Sequence, residues 1–186
     1  AAVNVTATAD PSRSYNGTGG AFALTGSDGI GAITSFCVDL LQYLTLPGEF
    51  TVSAVPATFP ASRSAALERL FETGFKGLDL TDNAKSAGFQ LAVWAIAFES
   101  DAVYDIDSGN FKSNWASGGN AAAAFAKQLL AGMAGPITQN YQLTYFLSDT
   151  RQDQVAVSAV PLPAAGWLML AGLGGLAAWR RKTREI

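Results

Sequence analysis

Histidine is absent from all 186 residues, and cysteine occurs once, at Cys37. Without an imidazole to serve as general base, no Cys–His or Ser–His–Asp centre can be assembled from this chain. A single cysteine also excludes an internal disulfide framework and leaves one thiol to explain. Charge is sparse and unevenly placed: residues 1–160 hold eight Lys/Arg against fourteen Asp/Glu, a net charge of −6. An acidic body of that kind is a poor match for nucleic acid, which is not expected as a partner. No Gly-rich phosphate loop, metal-ligand cluster or spaced pair of carboxylates is present. A turnover enzyme is therefore not expected, nor a bound cofactor or metal.

What the chain has in excess is an apolar run near its C-terminus. Residues 164–179 carry no charge and are followed by Arg180, Arg181, Lys182 and Arg184. As a helix rising about 1.5 Å per residue, such a run reaches roughly 24 Å, short for a bilayer unless its flanks extend it. Gly166, Gly172, Gly174 and Gly175 make a poor soluble helix. The composition predicts one C-terminal transmembrane helix with its basic end in the cytoplasm. The opening AAVNVTATAD has neither an initiator Met nor a basic-then-apolar leader, as expected of a mature N-terminus left by signal-peptide removal. Export follows, with the chain anchored in an inner membrane facing the periplasm, or at the cell surface after tail processing. The boundary falls at VPLP, giving an ectodomain over 1–159 and a tail over 160–186.

The ectodomain reads as α+β, β-rich at both ends in a sandwich or barrel-like arrangement, with a helical middle. Alternation in NVTATAD, AFALTG, ITSFCVDL, FTVSAV, YQLTYFLSD and DQVAVSAV predicts strands, with loops at SYNGTGG and TGSDG. Helical spacing predicts three helices, over 62–73 with an early Ser as cap, over 82–99 with Thr81 or Asp82 as cap, and over 120–133. DIDSGNF lies between the last two; it is oxygen-rich, but Ala116 stands where an EF-hand requires a bidentate acid, and an Asx-type turn is expected.

Within the second predicted helix, GFQLAVWAIAF is apolar except at Gln90. A buried carboxamide without partners costs on the order of 1–3 kcal/mol, so Gln90 requires a partner or a task. Cys37 is the other unusual group. One chemistry unites them, an internal thioester in which the Cys37 thiolate attacks the Gln90 carboxamide carbon and ammonia leaves. Phe36, Phe89 and Trp94, with Leu91 and Val93, are placed in sequence to shield such a bond. Alternatively, Cys37 is a small buried hydrophobe and Gln90 bonds a neighbouring backbone carbonyl. Asp39, beside the thiol, either orients an incoming nucleophile or faces solvent.

Phe36-Cys37-Val38 and Gln90-Leu91-Ala92-Val93-Trp94 resemble the two signature motifs of bacterial surface thioester domains, an aromatic-Cys-apolar triplet and a later Gln-x-Ala-Ile-Trp segment. Phe89 stands where that family often has Thr, and Val93 where it has Ile. The resemblance implies a covalent adhesin with Cys37 as thiol and Gln90 as acyl donor, a single-turnover acyl transfer to a surface protein or polysaccharide acceptor. Val160-Pro161-Leu162-Pro163-Ala164, the apolar run and Trp179-Arg180-Arg181-Lys182 resemble the PEP-CTERM sorting signals in their VPLPA variant. That likeness implies an exopolysaccharide-producing Gram-negative bacterium and an exosortase-type sorting protease as partner. The alternative class is a non-catalytic structural subunit of an extracellular matrix or of a membrane-protein complex, with the glycines of the tail as helix-packing surfaces.

Overall fold

The structure, a computed structural model, describes residues 2–7, 14–27, 29–56, 59–99, 103–114, 120–134 and 141–159. Two antiparallel sheets and three helices make up the fold. The strands are β1 (Ala2–Ala7), β2 (Ser14–Thr18), β3 (Phe22–Gly26), β4 (Gly31–Cys37), β5 (Thr51–Ser53), β6 (Phe111–Asn114), β7 (Tyr141–Leu147) and β8 (Gln154–Ala159). The helices are α1 (Ala61–Gly74), α2 (Asn83–Phe98) and α3 (Asn120–Ala131), the last running into a 3-10 turn over Gly132–Ala134. One sheet has the order β2-β1-β6 and the other β3-β4-β8-β7-β5.

The expected α+β class holds, but the larger sheet is open rather than barrel-like: β3 and β5 are its edges among the described residues. Helices cover its inner face. In register across the sheet, Phe36, Val155 and Tyr145 form one row. Phe36 meets Phe71 and Phe75 of the α1 region and Phe89 of α2. Tyr145 packs on Phe59. Because successive strand residues face opposite sides, Cys37, Gln154 and Phe146 form the next row, on the outer face.

α2 is apolar on every side because it is enclosed on every side, with residues 86–97 all buried. Of the two caps the sequence offers, Thr81 and Asp82, it is Asp82 that serves, its carboxylate accepting from the Ala84 and Lys85 amides at 2.9 and 3.1 Å. Gly88 lets α3 approach: a Cβ there would lie 2.6 Å from the Ala122 carbonyl oxygen.

Three local expectations are corrected. SYNGT in the predicted SYNGTGG loop is strand β2, because pairing with β1 overrides its turn-forming Asn-Gly. β6 forms where no strand is expected, its Phe111 amide held at 3.0 Å by the buried Glu99 carboxylate. α1 begins after Pro60 with no side-chain cap, so the early Ser does not serve as one; Pro suits a helix start, having no N–H to orphan. The Asp105 carboxylate accepts from the Ile106 and Asp107 amides and the Ser108 hydroxyl, the expected Asx-type turn. No helix among the described residues is long and apolar enough to cross a membrane. The predicted span, with Val160–Ala164 and Arg180, Arg181 and Lys182, lies outside the described residues.

Candidate acyl-transfer site at Cys37 and Gln90

Cys37 is the last residue of β4, and what its backbone does explains Gln90. The Val38 amide donates to the Asp153 carbonyl on the β8 side at 2.9 Å. By alternation, the N–H and C=O of Cys37 point the other way, toward β3. β3 has ended there: its pairing begins at Phe22 opposite Ser35, two residues short of Cys37. The Gln90 carboxamide fills the gap. The Cys37 N–H donates to Gln90 Oε1 at 2.9 Å, and Gln90 Nε2 donates to the Cys37 carbonyl at 2.7 Å. One side chain of α2 thus closes the ladder as a strand residue would. Four residues earlier on α2, Ser86 Oγ accepts from the Ala21 amide at 2.9 Å, so Ser86 and Gln90 together tie the helix to the β3–β4 edge.

The two predicted site residues are therefore brought together, both essentially without solvent exposure. Phe36 and Phe89 are also together, with ring centroids 4.8 Å apart in a cluster completed by Phe71 and Phe75. Trp94 is equally buried, but its ring partner is Phe111, at 6.3 Å. Phe36 and Phe89 thus share the aromatic cluster on the helical side of β4, while Trp94 extends the same helix toward β6.

The sulfur has a second set of partners that sequence reasoning missed. The Cys37 thiol donates to Gln152 Oε1 at 2.8 Å, and Gln154 Nε2 donates to Sγ at 3.1 Å. Gln154 Oε1 is itself held by the Ser35 hydroxyl at 3.1 Å. Gln152 Nε2 donates to the Asp39 carbonyl. Both glutamines are buried. Their spacing, Gln152-x-Gln154, is the period-two signal of one strand face, but such a face reads as solvated until the 39–50 segment is seen to cover it. That segment returns to the sheet end through Gln152 N–H to the Tyr43 carbonyl and Gln42 to the Asp149 carbonyl.

Burial pushes the Cys37 thiol up to about 12, with the Gln154 hydrogen bond opposing the rise and the charge of Asp39 adding to it. Burial likewise raises the Asp39 carboxyl, although the Leu41 amide donates to it at 2.7 Å. Asp153 is raised by burial and by the charges of Asp39 and Asp149. The thiol is thus held protonated among neutral carboxamides, beside carboxylates that do not contact it. Among the described residues no group of His, Cys, Asp and Glu could hold a metal ion.

The PEP-CTERM protein-sorting motif matches residues 159–182. That span contains the VPLPA segment, the apolar run and the basic Arg180, Arg181 and Lys182. Such a signal marks an exported protein, membrane-anchored or surface-displayed after processing, and implies an exosortase-type sorting protease acting on it. No curated protein matches the chain. Among solved structures, the N-terminal domain of the Streptococcus pyogenes pilus tip adhesin Cpa aligns with 82% of this chain and 81% of its own, at 17% identity and a TM-score of 0.37.

Proposed function

We propose that this chain is an exported adhesin or matrix protein whose ectodomain stores an acyl group as an internal Cys37–Gln90 thioester and transfers it once to an amine or hydroxyl on a surface protein or polysaccharide. The observation that carries the reading is the docking of the Gln90 carboxamide, at both its polar ends, on the backbone of the cysteine itself. In forming the bond, Cys37 Sγ attacks the Gln90 carboxamide carbon; the thiol proton and the –NH2 group leave together as ammonia. The Cys37 amide, 2.9 Å from Gln90 Oε1, is a donor to the oxygen on which charge develops. In transfer, the acceptor attacks the same carbon, the C–S bond breaks, and the acceptor's proton ends on sulfur.

Two features suit a stored acyl group. The near-zero exposure of Cys37 and Gln90 limits hydrolysis by keeping water away, and the Phe36–Phe89–Phe71 cluster fills the helical side of β4 beside them. A thiol raised to about 12 is also a poor leaving group, so the bond is slow to open before an acceptor is bound. A second reading is favoured by the completeness of the hydrogen bonds. The Gln90 carboxamide is satisfied at both ends as it stands, which suits a structural staple in a non-covalent matrix protein or a membrane-complex subunit. Methylamine separates the two. The covalent reading expects one methylamine per chain, mapped by peptide mass spectrometry to Gln90; an unlabelled Gln90 would leave only the staple.

A further inference from the structure

Gln152 and Gln154 each turn one end of a buried carboxamide to the same sulfur atom, while also bonding nearby backbone: Gln152 Nε2 reaches the Asp39 carbonyl, and Gln154 Nε2 reaches the Gln152 and Asp153 carbonyls at 3.3 and 3.2 Å. Their orientations are fixed from behind. Gln154 Oε1 is taken by the Ser35 hydroxyl, which turns Nε2 toward Sγ. Gln152 Nε2 is taken by the Asp39 carbonyl, which turns Oε1 toward Sγ. The sulfur therefore meets one donor and one acceptor, and neither glutamine can flip without breaking its rear bond. A donor aimed at sulfur stabilises negative charge on it, and an acceptor aimed at sulfur stabilises S–H.

We infer that Gln154 and Gln152 handle the sulfur during acyl transfer: Gln154 stabilises the sulfur as it leaves the Gln90 acyl carbon, and Gln152 holds the S–H that results. This assignment rests on the thioester reading above. In the step, an amine R–NH2 bonds to the acyl carbon and the C–S electron pair goes to sulfur, where Gln154 Nε2–H meets it. The amine's surplus proton then moves to sulfur, giving an amide at position 90 and a thiol that donates to Gln152 Oε1. In the acylated state that Oε1 has no hydrogen to accept from sulfur, so regaining the S–H bond favours completed transfer over re-closure. The raised thiol agrees with this division, since the Gln154 bond is the one contact working against burial there.

The experiment compares methylamine coupling by mass spectrometry in the unaltered full chain, in Gln154→Met and, in case that variant fails to fold, in Ser35→Ala, which frees the Gln154 carboxamide to turn away. Coupling is expected to slow by about tenfold or more in Gln154→Met, as for loss of one hydrogen bond to a charged group, and by less in Ser35→Ala. Raman spectroscopy of the S–H stretch supplies a readout that a packing role would not move, and the single cysteine makes the band unambiguous. In the Gln90→Ala chain, which cannot close the bond, the band should sit where a donating thiol does, and adding Gln152→Met should move it to the free-thiol position. An unaltered chain that takes up no methylamine overturns the thioester reading and this assignment with it. An unaltered chain that couples, beside variants that couple equally fast, overturns this assignment alone.

Discussion

Cys37→Ala and Gln90→Ala are each expected to abolish coupling to methylamine completely, with no residual slow phase. The argument is one of elimination. The chain has a single cysteine and no histidine, so once the thiol is removed no second nucleophile of comparable strength can take its place. Removing Gln90 deletes the acyl group itself; no other side-chain carboxamide bonds the Cys37 backbone among the described residues. Intact-mass measurement after incubation with methylamine checks both variants, and a labelled chain in either one contradicts the assignment of roles. On the proposed chemistry, thinning the Phe36–Phe89 cluster is expected to change rate rather than competence, by loosening the helical side of β4 without removing the groups that form the bond.

Gln90→Leu is expected to destabilise the fold by about 3 kcal/mol or more, independently of any covalent chemistry. The substitution keeps an apolar side chain of similar size but strands the Cys37 N–H and C=O, both buried and both facing the gap where β3 has ended. Each orphaned group costs on the order of 1–3 kcal/mol. Cys37→Ala should cost less, because the bonds from Gln90 go to backbone that alanine retains. Denaturant midpoints of the two variants, measured side by side, give the comparison. Equal midpoints would mean that water or a shifted β3 replaces the carboxamide, and that the α2–β4 tie is weaker than its geometry implies.

How much of this was legible in the chain varies with the kind of signal. The α2 cap at Asp82 and the inward direction of Gln90 follow from local chemistry and from a helix too apolar to face water, so both could be read in advance. The pairing of Cys37 with Gln90 could be guessed because each is an anomaly in its own surroundings. The manner of pairing could not, since it depends on β3 stopping two residues short of Cys37, a fact of register. β2 and β6 were hidden for the same reason: SYNGT and FKSN lack the alternation of a half-buried strand and are strands because β1 lies between them. Gln152 and Gln154 have the spacing of a polar, solvated strand face, and only the fold shows that the 39–50 segment makes that face interior at its Cys37 end. A polar pair at period two beside the partner strand of a lone cysteine is a signal that could be sought elsewhere.

The intact mass of the purified chain tests the covalent claim most directly. Closure of the thioester removes one ammonia, so the account predicts a mass about 17 Da below that of the unmodified sequence, restored and labelled when methylamine is added. A chain at its full unmodified mass, unchanged by methylamine, would contradict it and leave Cys37 and Gln90 as a buried thiol and the staple that closes the edge of β4.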